Sequence, residues 1–220
     1  MKNTISLLFP RLLIGVFFFC FLNVKSQKNA NNNIQVSEDS INIKKRTQKT
    51  VDYFNEIVFN TEFDGKRENA FKWNKNMKIY VDGQKIDYLM VELNDIVSEL
   101  NNIINTIEIE IVKNPTEANM FIYFGSSYDF ANYCPNVSRS LLTNNWGLFM
   151  VTTVNSYMYV DINRANEVEQ KHLLREELTQ SLGLFNDSYR YPESIYYQGW
   201  TTTTEYAQID VELIEMLYNE

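Results

Sequence analysis

The sequence predicts an α+β domain, and three observations point to it. Apolar residues recur at helical spacing near 51–58, 89–104, 174–182 and 209–217. Short runs rich in β-branched and aromatic residues lie between these stretches, ended by Asp, Asn, Gly or Ser. The chain has 220 residues, 45% of them hydrophobic, which is enough for one domain with its own core.

The amino end reads as a secretory signal peptide over residues 1–26. Lys2 and Arg11 precede the apolar run Leu12 to Leu22, which is too short for a comfortable membrane span. Val24-Lys25-Ser26 places cleavage after Ser26; an uncleaved anchor is the alternative. Bulky Phe19 before Cys20 does not suit a lipoprotein site. Cleavage removes three cations and no acid, so the formal charge moves from −8 to −11. A chain this acidic, with no basic cluster, repels nucleic acid and anionic lipid. The expected location is secreted or periplasmic, with no transmembrane segment after cleavage. Cys134 is then alone, which excludes an internal disulfide, and it reads as a small loop residue.

Residues 27–46 are rich in Asn, Ser, Gln and Lys and read as a disordered polar linker. The domain is expected over 47–220. Val51, Phe54, Ile57 and Val58 give an amphipathic helix on the outside of the core. Met77–Val81 reads as a strand ended by Asp82-Gly83. Leu89–Ile104 carries a wide apolar stripe and predicts a long helix. Ile107–Val112 alternates Ile with Glu, as in a half-exposed strand. Ala118–Gly125 is continuously apolar and fits a central strand. A loop is expected over 126–145. Two further strands follow, Gly147–Thr153 and Tyr157–Ile162, and then a helix over 168–184. A last helix spans about Glu205–Tyr218.

Within the helix at 168–184, Leu174, Leu178 and Leu182 stack on one face. His172, Glu176 and Gln180 stack on the opposite face, with Glu177 beside them. Gly183 stands where a helix commonly stops, since glycine takes the left-handed conformation without a Cβ clash. Apolar flanking strands argue that the whole helix is buried. Asn186 and Asp187 return towards its polar side.

The run from Glu176 to Asp187, EELTQSLGLFND, resembles the metzincin metallopeptidase motif H-E-x-x-H-x-x-G-x-x-H. It is similar to the signature of a bacterial domain family of unknown function placed among the zincin-like folds. The likeness runs from about Tyr53 to Tyr218 and includes a helix with F-x-x-I, an acidic position such as Glu62, and the pair Lys72-Trp73. It implies a zincin-like fold. That is a twisted mixed β-sheet packed on a long helix and a motif-bearing central helix, with a C-terminal helix. It also implies an antiparallel edge strand beside a cleft, and a tight turn at Ser194-Ile195-Tyr196, with Tyr196 where methionine usually stands.

By this resemblance Glu177 falls at the catalytic base, and Glu176, Gln180 and Asn186 fall at the three metal-ligand positions. All three histidines are replaced. Amide oxygens are weak partners for zinc, which favours imidazole and thiolate. An oxygen-rich set suits a harder divalent ion better. His172 is an alternative ligand beside Glu176, or a hydrogen-bond partner for it. In a metal-free site, Gln180 and Asn186 would hydrogen-bond each other, and Asp187 would hold backbone N–H groups near Ser188. No cofactor is expected, with zinc or another divalent ion as the alternative.

The leading functional reading is a zincin-like domain of unassigned activity, a degenerate metallopeptidase that binds a peptide or cell-envelope protein by strand addition at Tyr157–Ile162. The alternative is an active metal-dependent hydrolase or peptidase with Glu177 as general base and an unusual oxygen-rich metal site. Intact-mass measurement of the exported protein is expected to give a chain beginning at Gln27; retained residues before it would contradict the cleavage site.

Overall fold

The computed structural model describes residues 46–59, 69–134, 137–152 and 154–219. The expected signal peptide, nearly all of the linker, and Glu62 lie outside the described residues. Arg46, the end of the expected linker, is held against the domain by an ion pair to Glu215 at 2.6 Å.

Five strands form one mixed sheet: β1 (Met77–Gly83), β2 (Ile109–Ile111), β3 (Met120–Gly125), β4 (Gly147–Met150) and β5 (Ser156–Asp161). Their order is β2-β1-β3-β5-β4. The first four neighbours run parallel, and β4 runs antiparallel to β5. Inward residues alternate along β1, where Met77, Ile79 and Val81 are buried. β5 is buried on both faces, which explains its unbroken apolar sequence.

Six α-helices surround the sheet: α1 (Gln48–Phe59), α2 (Asp87–Ile103), α3 (Ser127–Tyr133), α4 (Arg139–Asn144), α5 (Glu167–Gln180) and α6 (Gln208–Tyr218). α2 and α5 pack against each other. Leu89, Leu93, Ile96 and Leu100 of α2 meet Leu174 and Leu178 of α5 and the inward residues of β1, β3 and β5 in the main core. α5 begins with a capping box, Asn166 accepting from the Glu169 backbone while Glu169 accepts from the Asn166 backbone. It ends short of the expected 184, in a turn that reaches Gly183 at φ 125°. A side chain at Gly183 would collide with the Phe71 carbonyl, so the glycine is needed for space as well as for its dihedral.

α1 packs on the core through Tyr53, Ile57 and Val58, while Val51 and Phe54, read as part of its apolar face, are only partly buried. Two expectations are corrected. The stretch 126–145 is not only loop. It holds α3 and α4, seven and six residues long, too short to show a helical period. They bury Phe130, Cys134 and Leu142 against Leu148, Met150 and Tyr159 on the sheet's other face. Finally, Tyr157–Ile162 is not an edge strand, because β5 pairs with β3 on one side and β4 on the other. The antiparallel end strand is β4, and all four of its residues are buried.

No helix of the described residues is long and apolar enough to cross a membrane. With Leu178 fully buried in the main core, Leu178→Ala should cost about 2–5 kcal/mol, measured by urea unfolding. A cost below about 0.5 kcal/mol would contradict this packing.

Candidate functional site

From His172 onward α5 is buried all round. Every residue from His172 to Asn186 is buried, polar and apolar alike. A buried polar group needs a hydrogen-bond partner, or the desolvation it suffers is uncompensated. The polar stripe of this helix therefore reports what the site is built to hold.

His172 Nδ1 lies 2.7 Å from the Thr203 carbonyl. A carbonyl only accepts, so Nδ1 carries the hydrogen. The other ring nitrogen, Nε2, faces Glu176 Oε2 at 3.3 Å. The first ligand position thus turns back along the helix to His172. Glu177 is fully buried and lies under the start of β4. A Cβ built on Gly147 would stand 2.7 Å from Glu177 Oε1 and 3.0 Å from its Cγ. Glycine at 147 is what lets the strand close over this carboxylate.

Gln180 Nε2 donates to Asp187 Oδ1 at 2.5 Å. Its Oε1 is buried with no hydrogen-bond partner. Asn186 turns the other way, its Nδ2 donating to the Ile57 carbonyl on α1 at 2.8 Å. The expected pairing of Gln180 with Asn186 is replaced by these two bonds. Asp187 takes the role foreseen for Asn186, because it is the residue that faces back to Gln180 beyond the turn at Gly183.

Three features escaped sequence reading. Arg175, 2% exposed, sends its guanidinium across to α2, reaching Glu99 at 2.7 Å and Glu92 at 3.0 Å, and stacks over the Tyr206 ring at 4.6 Å. The seven-residue spacing of Glu92 and Glu99, two turns of one helix face, was the available signal. Thr179 donates to the Arg175 carbonyl at 2.6 Å and meets the Tyr206 hydroxyl at 2.7 Å. Burial raises the Tyr206 phenol well above its usual range, with Arg175 opposing. The third is the 201–206 segment, which has no periodicity to read and supplies Thr203 to His172 and Tyr206 to Arg175 and Thr179.

The turn at Ser194-Ile195-Tyr196 is where the resemblance implied. Its anchor is Asp210 on α6, which accepts from Ser194 Oγ at 2.5 Å, Ile195 N at 3.1 Å and Ala207 N at 2.8 Å. Ser194 Oγ in turn accepts from the Tyr53 hydroxyl at 2.9 Å and from Tyr196 N at 3.1 Å. Tyr196 is fully buried, and its phenol is raised by that burial.

The donor set does not fit zinc. Gln180 and Asn186 use their amide N–H groups on Asp187 and Ile57, so what they could offer a metal is a neutral amide oxygen each, and Glu176, which faces His172, is the one anionic group of the three. Among the described residues, no group of three or more His, Cys, Asp or Glu side chains is placed to hold a metal ion. Gln180 Oε1, buried with no hydrogen-bond partner, is a neutral amide oxygen and a poor zinc ligand. Cys134 is buried in the second cluster on the far face of the sheet.

Burial disfavours the Asp210 carboxylate more than its hydrogen bonds favour it, so its pKa rises from 3.8 to about 6. The folded state thus holds this proton more tightly than the unfolded state. The resulting stabilisation is complete below about pH 4 and lost as pH rises through about 6. Relative to Asp210→Asn, the wild-type chain should therefore be more stable at pH 4 than at pH 7 by about 3 kcal/mol. Paired urea titrations at the two pH values measure this, and a pH-independent difference would contradict it.

No curated protein sequence matches the chain. Among solved structures, one of myroilysin is similar at 11% identity and a TM-score of 0.45, covering 75% of this chain and 95% of that one. An archaemetzincin from Methanopyrus kandleri is similar at 10% identity and a TM-score of 0.36, covering 64% and 94%. Residues 47–220 match the family described as Protein of unknown function (DUF2927), and the chain belongs to that family.

Proposed function

We propose that this chain is an exported, metallopeptidase-like domain that acts by binding a peptide or cell-envelope protein rather than by zinc-dependent hydrolysis. The observation that carries the reading is the fate of the three ligand positions. Glu176 faces His172, while Gln180 and Asn186 anchor to Asp187 and Ile57 through their amide N–H groups, which leaves neutral amide oxygens where zinc favours imidazole or thiolate. A hydrolytic zinc needs three converging ligands and an open position for water.

Hydrolysis with Glu177 as general base is the competing reading. It requires a water within reach of that carboxylate. Both Glu177 oxygens are buried beneath Gly147, which weighs against it. Strand addition at β5 has no free edge to use. The partner-binding surface assigned in this proposal is instead the rim beside the site loop. There Tyr189 is 68% exposed and Trp200 is 55% exposed, and Trp200 packs edge-on against Trp146 next to Gly147.

The test is elemental analysis of the purified mature protein, prepared without added metal or chelator, together with a general peptidase assay. The expected result is no stoichiometric zinc and no cleavage. Zinc that survives dialysis at one per chain would overturn the reading. A folded Glu176→His, Gln180→His, Asn186→His variant should gain zinc binding by calorimetry and lose it when position 180 is reverted.

A further inference from the structure

α1 ends inside the molecule. The carbonyls of a helix's last turn have no partner within the helix, so something else must satisfy them. Ile57 lies in that turn and is fully buried. Its carbonyl accepts from the Asn186 backbone N–H at 3.2 Å and from Asn186 Nδ2 at 2.8 Å. One residue, distant in sequence, thus puts two donors on one terminal carbonyl.

The same two segments meet at three more points. Glu56 pairs with Arg190 at 2.5 Å. The Tyr53 hydroxyl bonds Ser194 Oγ at 2.9 Å, and the Tyr53 ring lies 4.7 Å from that of Tyr191. Residues 53, 56 and 57 share one helix face, at i, i+3 and i+4. The loop 186–194 runs along that face. At its other end α1 is tied to α6, by Thr50 to Glu212 at 3.2 Å, and Arg46 just before it reaches Glu215.

We propose that Asn186 is the carboxyl-terminal cap of α1, supplied from across the fold, so that α1 and the loop 186–194 open and close as one cooperative unit. The proposal rests on the preceding reading in one respect: the residue at the third ligand position is spent on protein. Its consequence is regulatory. Whatever displaces the site loop also loosens α1, and with it the chain that enters the domain at Arg46. A partner bound at the rim is therefore felt where the polar amino-terminal segment joins the domain.

Hydrogen exchange followed by mass spectrometry on the full mature chain tests this. Asn186→Asp keeps the size and the backbone N–H, but its carboxylate has no N–H to give and sets negative charge against the Ile57 carbonyl. In this variant, peptides covering 48–59 and 186–194 should exchange about tenfold faster, with α2 and β3 at wild-type rates. Tyr53→Phe, which removes a hydroxyl at the other end of the same interface, should give the same pattern should the first variant fold poorly. Wild-type protection of α1 in these variants, or equal acceleration of every segment, would overturn the proposal. Zinc content is not read, so this outcome is independent of whether the protein is a zinc hydrolase.

Discussion

The structure depends on burying a polar helix on all sides. α5 lies between the sheet, α2 and the loops that follow it, and from His172 onward no face of it meets bulk water. Its leucines need no explanation, since core contact stabilises them. Its polar residues do, because each loses water and must recover a partner from the protein. The rest of the site follows from that requirement. Thr203 is needed for His172, Asp187 for Gln180, and the two glutamates of α2 for Arg175. The helix is a hub whose polar contacts fix the surrounding loops in place.

Electrostatics points the same way. Buried charges are costly unless matched. Arg175 draws two carboxylates of α2 onto α5 and adds a ring contact with Tyr206, which joins three segments that share no backbone pairing. Asp210 is matched differently, by two backbone N–H groups and a serine hydroxyl, none of them charged. Hydrogen bonds without a countercharge leave the burial term dominant, and the carboxyl of Asp210 titrates near 6 as a result.

Hydrogen bonds hold α5 and the loop after it, and they run to different places. The amide of Gln180 closes the turn over Gly183, while Asn186 carries the loop outward onto α1. Asn186 therefore bridges two parts of the fold.

The sequence by itself determined the helices α2, α5 and α6, the strands, the stop at Gly183 and the burial of Leu174, Leu178 and Leu182. Those features rest on period and on local stereochemistry, which a single chain displays directly. It also placed Glu176, Glu177, Gln180 and Asn186 in a run that resembles the metzincin motif. Only the tertiary structure decided what those residues touch. Gly147 over Glu177, Thr203 on His172 and Ile57 under Asn186 are separated from their partners by between 30 and 129 positions. It also decided that β5 is interior. α3 and α4 were illegible for a related reason: helices of under eight residues carry too few apolar positions to set a period, and form because the sheet's far face gives them something to cover. Pattern fixes which face of an element is apolar. Which distant group satisfies a buried polar atom depends on chain packing, and no local pattern records it.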